Sequence, residues 1–243
     1  MKIAIFSDVH ANLEALLKVK EDIESQGADR SVCLGDVVGY GASPNECCNI
    51  VRGMADVVIL GNHDAAVAGH MDYSFYYDAA RDVLDWTIAQ LSSDNMEWLR
   101  SLEFIHREED IVLCHGSPVN PRDFEYIFAL EQARQLLDHR DKLSTLNFIG
   151  HSHLCKAFAI GPEQVHDVIA SRLSFRKGYS YMISVGSVGQ PRDYDNRAGY
   201  VLLDTDAPAL EFRRIEYDIE TAAKKIFDAG IAYNFGKRLF LGV

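Results

Sequence analysis

The stretch Ile3-Ala4-Ile5-Phe6-Ser7-Asp8-Val9-His10 decides how this chain is read. Four apolar residues in unbroken succession suit a strand buried on both faces, as inside a parallel sheet covered by helices. The run then stops at Asp8 and His10, side chains that bind metals or move protons. The same grammar recurs four times further along. Residues 31–34 end in Gly35-Asp36, and 57–60 in Gly61-Asn62-His63-Asp64. Ile111–Cys114 ends in His115-Gly116, and Leu146–Ile149 in Gly150-His151-Ser152-His153.

Helical segments separate these runs. Asn12 is a cap for a helix reaching about Gln26, with Leu13, Leu16, Leu17 and Ile23 on one face and Gly27 as its stop. Ser43-Pro44-Asn45-Glu46 reads as a capping box with proline at the first helical position, its helix ending near Gly53. Further helices are expected around 76–91 and 129–140. Strand alternating with helix predicts an α/β fold with a largely parallel sheet. Past about residue 155 the rhythm changes. Segments 156–160, 164–169, 179–185, 200–204 and 211–217 read as strands on short connections, which predicts a second, more antiparallel sheet. A helix near 219–229 and a tail over 231–243 follow. With no repeat, linker or low-complexity tract, one domain is expected over 1–243.

Composition narrows the function classes. At 243 residues, 48% hydrophobic and 25% charged, the chain matches globular averages and excludes disorder, collagen and coiled coil. A core of this size buries roughly 70–75% of the unfolded surface and needs no disulfide staples. Cys33 and Cys114, inside apolar runs, read as small core residues, and the five cysteines form no CxxC pair. Twenty-four basic against 36 acidic residues give a net charge of −12, which disfavours extended nucleic acid as a partner. A small anionic substrate remains compatible, because bound metal reverses the potential locally. No apolar stretch approaches 18 residues, so no membrane partner is expected. Met1 runs straight into the first strand without a signal-peptide pattern, and a cytoplasmic location is expected.

In open α/β sheets, functional residues gather at the carboxyl ends of strands. Five of the nine histidines fall there (His10, His63, His115, His151 and His153), whereas His70, His106, His139 and His166 have no comparable setting. Asp8, His10, Asp36, Asn62, His115, His151 and His153 are the candidate ligands, an oxygen and imidazole set without thiolate. Such donors suit Mn, Fe, Zn, Ni or Co. Seven exceed the four that a structural zinc site uses, and two ions sharing a carboxylate account for the number. Asp8 and His10 alternate along an extended segment, as do His151 and His153, so each pair needs a turn to converge. Any one of these motifs is an ordinary turn or core histidine; five together are not.

Asp8-Val9-His10, Gly35-Asp36, Gly61-Asn62-His63-Asp64, His115 and Gly150-His151-Ser152-His153 resemble, in order and spacing, the motifs of the calcineurin-like metallophosphoesterases. Gly186-Ser187-Val188-Gly189-Gln190-Pro191-Arg192-Asp193 is similar to a loop of their small bacterial and archaeal phosphodiesterase-like branch. The resemblance implies a four-layer α/β/β/α sandwich, two mixed sheets flanked by helices. It implies one metal, manganese first among the candidates, held by Asp8, His10, Asp36 and His153. A second would be held by Asp36, Asn62, His115 and His151, with Asp36 and a hydroxide bridging. His63 would face the substrate. Phosphoprotein phosphatases of this superfamily carry Asp-Arg where this chain has Gly39-Tyr40, and an Arg where it has Leu60. Both absent arginines clamp phosphomonoesters. Purple acid phosphatases have a ligand tyrosine at the position of Gly39, and Tyr40 stands one place too late.

Two divalent ions against Asp8 and Asp36 leave a site near +2 in a protein of −12, which draws a phosphate to that spot. Ions roughly 3.5–4 Å apart activate the shared water for in-line attack on phosphorus. His63 is the expected proton donor to the leaving oxygen, oriented by Asp64 or a backbone carbonyl. Arg192 and Arg197 bracket the glycine-rich loop and either hold a second phosphate or sugar, or form surface salt bridges. His70, Tyr73 and Phe75-Tyr76-Tyr77 offer a base-stacking wall, although core packing is the expected role.

The expected partner is therefore a small phosphate ester or nucleotide, hydrolysed as a phosphodiester or nucleotide phosphate. The alternatives are a dinucleoside polyphosphate such as diadenosine tetraphosphate, a phosphomonoester, and a catalytically silent protein-binding scaffold on the same fold, which would be expected to lack some of these ligands. A haloacid-dehalogenase-type nucleophile at Asp8 lacks the second acid two residues on, where His10 stands. The apolar tail at 231–243 suits a homo-oligomer interface.

Overall fold

A computed structural model describes residues 1–243. In chain order the strands are β1 (Lys2–Phe6), β2 (Arg30–Cys33), β3 (Val57–Val58), β4 (Ile105–Glu108), β5 (Ile111–Cys114) and β6 (Leu146–Ile149), then β7 (Cys155–Ile160), β8 (Val165–Val168), β9 (Arg172–Ser174), β10 (Ser180–Val185), β11 (Ala198–Asp204) and β12 (Ala209–Ile215). The helices are α1 (Leu13–Ser25), α2 (Pro44–Met54), α3 (Asn62–Ala68), α4 (Asp78–Gln90), α5 (Ser93–Arg100), α6 (Leu130–Gln135), α7 (Ile219–Asp228) and α8 (Tyr233–Leu241).

The strands form two mixed six-stranded sheets, ordered β3-β2-β1-β11-β12-β9 and β4-β5-β6-β10-β7-β8. Their pleat explains the unbroken apolar runs. Ile3 and Ile5 of β1 join Leu113, Phe148 and Ile183 of the other sheet in a core between the sheets. Ala4 and Phe6, pointing the opposite way, pack with Leu16 and Val19 of α1 and Cys47 and Val51 of α2. A third cluster joins Val112, Ile149 and Met182 to Ala133 of α6. The layers are thus helix, sheet, sheet, helix, as the resemblance implies.

The partition of strands differs from the sequence expectation. Residues past 155 do not build a sheet of their own. β10 pairs parallel with β6 and antiparallel with β7, while β11 pairs antiparallel with β1. Each sheet therefore takes three strands from the early chain and three from the late chain, with the parallel pairs β1–β2 and β2–β3 in one and β5–β6 and β6–β10 in the other. β3 stops at Val58, beyond which Ile59 makes a single bridge to Glu103. The tail at 231–243 is largely helix α8, whose Phe235 and Leu239 pack with Ala222 and Ile226 of α7.

Caps follow the sequence in one case and depart in another. Asn12 Oδ1 accepts the Ala15 N–H and fixes the start of α1. Ser43 precedes α2 without a side-chain cap bond. The Ser43 N–H already donates to the Ala11 carbonyl, so the reciprocal leg of a capping box has no donor to take.

Candidate metal centre

The ends of β1, β2, β5 and β6 and the start of α3 converge at the edge of the two sheets. Convergence requires tight backbone turns at the site residues themselves. Asp8 (φ 54°), His10 (φ 47°), Asp36 (φ 51°), His151 (φ 64°) and His153 (φ 60°) all adopt the left-handed conformation. Non-glycine residues held there carry strain that the surroundings must impose. Backbone hydrogen bonds impose it. Asp8 N–H donates to the Gly35 carbonyl, His10 N–H to the Asp36 carbonyl, and Gly150 N–H to the His115 carbonyl, each at 2.9 Å. At Gly61 a Cβ would overlap the Asp36 carboxylate, so only glycine fits.

The donors meet in three overlapping groups: Asp8 with His10 and His153, His10 with Asp36 and His63, and Asp36 with His115 and His151. All seven of these side chains are buried. Asp36 Oδ2 lies 3.3 Å from His115 Nε2 and 3.6 Å from His10 Nε2, and Asp8 Oδ1 lies 3.3 Å from His153 Nε2. Asn62 Oδ1 stands 3.1 Å from His115 Nε2.

The far nitrogens of three imidazoles are fixed by main-chain carbonyls: His10 Nδ1 to Val38 at 3.2 Å, His115 Nδ1 to Leu34 at 2.7 Å, His153 Nδ1 to Gln190 at 2.6 Å. With the ring proton on Nδ1, the neutral rings of His10 and His153 present their Nε2 lone pairs inward. His10 Nε2 and His153 Nε2 then face each other at 3.2 Å as two acceptors, beside two carboxylates. A cation between them resolves this repulsion. The donor set therefore fits divalent metal.

The charges show the same frustration. Burial pushes Asp8 up to about 7, with Asp36 adding to the rise and His115 opposing it. Burial also raises Asp36, but the charges of His115, His63 and His10 outweigh it and hold that carboxyl well below the usual range. His115 is pushed down by burial yet raised to about 9 by Asp36 and Asp8. Burial lowers His10, His151 and His153 well below the ordinary imidazole value.

His63 and Asp64 depart from the expected pairing. The Asp64 carboxylate accepts N–H bonds from Val37, Val38 and Gly61, so it ties α3 to the loop after β2 instead of orienting His63. His63 is held through its backbone, whose N–H donates to Asp36 Oδ1 at 2.8 Å. Its ring Nδ1 is buried without a hydrogen-bond partner, packed against Gly39.

The glycine-rich loop reaches the site through its backbone. Gly189 N–H and Ser187 Oγ both donate to the Asp8 carbonyl. Arg192 lies over the Tyr40 ring at 5.6 Å and donates to Gln190 Oε1. Its charge acts on His10, His63, His151 and His153. Arg197 is placed otherwise: it pairs with Asp195 at 2.6 Å, the surface salt bridge of the two readings.

Two side chains that sequence reasoning did not place in the site lie against its histidines. Tyr126 stacks on His151 with ring centroids 3.7 Å apart and an 18° interplanar angle. Tyr40 packs against His10 at 4.6 Å and His63 at 4.4 Å. A tyrosine carries no sequence signal for either role. Tyr73 and Tyr76 pack against the helix-side core as expected, whereas their neighbours Phe75 and Tyr77 depart from that expectation. Phe75 and Tyr77 are 73% and 56% exposed and line a cleft with Asn62, His63 and His151, so they are not core residues.

Two mixed sheets with Asp, Asn and His drawn from five segments into one buried cluster define a metallophosphoesterase. The chain belongs to the calcineurin-like phosphoesterase superfamily, whose domain it matches over residues 1–208. An uncharacterized protein of Methanocaldococcus jannaschii is 35% identical over 244 residues, covering 99% of this chain and 98% of that protein. The crystal structure of a metallophosphoesterase from Sphaerobacter thermophilus is similar with a TM-score of 0.85 and 35% identity, over 100% of this chain and 99% of that one. A symmetrical bis(5'-nucleosyl)-tetraphosphatase of Methylococcus capsulatus is 32% identical over 122 residues, 48% of this chain and 43% of that protein. No helix is long and apolar enough to cross a membrane.

Proposed function

We propose that this metallophosphoesterase hydrolyses phosphodiester or nucleotide phosphate bonds in preference to phosphomonoesters. The observation that carries the preference is Tyr40. An uncharged ring fills the space beside His10 and His63 where superfamily phosphatases of the monoester type carry an arginine. Arg192 is the guanidinium held next to that ring, a single cation suited to the one negative charge of a diester.

Two divalent ions, on Asp8, His10, Asp36 and His153 and on Asp36, Asn62, His115 and His151, would supply a water of lowered pKa and positive charge for the phosphoryl oxygens. The chain's own residues do the rest. Carbonyl bonds hold the rings of His10, His115 and His153 before substrate arrives, so little reorganisation is needed there. Burial lowers His63 to about 4, helped by Arg192 and His115 and opposed by Asp36. An anionic phosphate beside it offsets that bias and favours the protonated ring, which hands its proton to the leaving oxygen.

The partial likeness to a bis(5'-nucleosyl)-tetraphosphatase favours a dinucleoside polyphosphate as the second reading. One panel with manganese separates them: matched mono- and diesters of nucleosides, and diadenosine tetraphosphate. Diesters should exceed monoesters in kcat/KM by about tenfold, the equivalent of one charge-assisted contact. A tetraphosphate rate above both favours the second reading. Monoesters ahead of both contradict the proposal.

A further inference from the structure

The cleft that opens onto the cluster has a volume of about 390 Å³, within the ordinary range for small-molecule sites. Its walls are aromatic. Phe75, Tyr76 and Tyr77 line it from one loop, and Phe124 and Tyr126 from another. Phe75, Tyr77 and Tyr126 are 73%, 56% and 47% exposed, a concentration of apolar surface that a chain of net charge −12 does not otherwise need there. Each wall is also bolted to a candidate ligand. Asn62 Nδ2 donates to the Tyr76 hydroxyl at 2.8 Å, and Tyr126 stacks on His151. Whatever lies between the walls is therefore held in register with the atoms that meet the phosphate.

We infer that this cleft takes the nucleobase of a nucleotide ester, stacked on the Phe75–Tyr77 wall with its phosphate turned toward His63, Asn62 and His151. Charge sets the direction. The cleft has no lysine or arginine among its lining residues, and Asp123 stands in it as a lone carboxylate. Asp123, an exposed carboxylate, repels phosphate from its own part of the cleft and can accept a hydrogen bond from an amino-bearing base, whereas the cluster draws phosphate toward itself. Aromatic faces also discriminate a flat π-system from an alkyl chain, since stacking is available to any base. The inference rests on the phosphodiester or nucleotide reading above and names the group beyond the phosphate.

The test separates binding from hydrolysis. The probe is 2-aminopurine riboside 5'-monophosphate, whose fluorescence is quenched on stacking against aromatic rings. The full chain should quench it saturably, and Phe75→Ala/Tyr77→Ala should weaken that binding by about tenfold, as expected for loss of a stacking contact. Tyr77→Phe, which keeps the ring, should retain it. In kinetics with manganese, an adenosine 5'-phosphate methyl ester should show a KM about tenfold below its abasic ribose counterpart, and the double variant should bring that ratio near one. Quenching without turnover of either ester supports the cleft while it removes the hydrolytic reading. Equal quenching by wild type and double variant, an unchanged KM ratio, or stronger competition by an alkyl phosphodiester than by the nucleotide overturns the inference.

Discussion

The floor of the site and its rim are built on opposite principles. The floor is buried, its turns are held in left-handed backbone conformations, and three of its imidazoles are fixed by carbonyls of Leu34, Val38 and Gln190. The rim is exposed, contributed by loops between elements, and held at few points, chiefly Tyr76 on Asn62 and Tyr126 on His151. Strain and burial are tolerable where geometry must not move, since a misplacement of about 1 Å costs about 100-fold in rate. Exposed rings on loops can instead change with the substrate while the floor stays fixed. On the proposed reading, chemistry would reside in the floor and selectivity in the rim.

That contrast breaks most sharply at His63. His63→Ala should lower kcat by about 10²–10⁴ on esters with poor leaving groups and by much less on nitrophenyl esters, as expected for loss of a proton donor. Equal losses on both would remove the acid role. Next in size, Gly61→Ala changes no ligand yet thrusts a Cβ into the Asp36 carboxylate. It should cost about 100-fold in kcat and weaken metal retention in a dialysis assay. Near-normal kinetics would show that the floor yields more than its packing implies.

Smaller still is the link between the regions. Tyr76→Phe removes the hydroxyl that Asn62 donates to, and metal affinity by titration should fall by about tenfold. An effect as large as that of Gly61→Ala would mean the rim is as rigid as the floor. The smallest effect is expected far from both. Asp22 is held below the usual carboxylate range: burial raises it, but pairing with Arg213 and the Tyr200 hydroxyl outweighs burial. A lowered folded value stabilises the fold above the ordinary carboxylate pKa, and that stability is lost as pH falls toward the folded value. Asp22→Asn should therefore lower stability by no more than about 1 kcal/mol at neutral pH, with the Tm difference from wild type shrinking below about pH 4.

The contrast also explains what could be read from the sequence. Each piece of the floor is local: an apolar run followed at once by Asp8-Val9-His10 or His151-Ser152-His153. Strand burial and ligand identity lie within ten residues of each other, so the pattern announces both. The rim is not local. Nothing near Tyr126 says that it will stack on His151, or near Tyr40 that it will lie against His10 and His63, because those contacts arise only when separate loops meet. The same limit hid β4 and β9. Both are edge strands, and Ile105-His106-Arg107-Glu108 and Arg172-Leu173-Ser174 are too polar to stand out as apolar runs. Strand type was legible in the change of rhythm past 155, but partner choice was not, since β10 joins β6 and β7 across that boundary.

Metal stoichiometry tests the paired-ion centre most directly, read by elemental analysis after equilibrium dialysis of the chelator-stripped protein against manganese. Wild type should retain two ions per chain, and Asp36→Asn, which weakens the shared carboxylate, fewer than one. Wild type that holds one ion or none, or Asp36→Asn that still holds two, would contradict it.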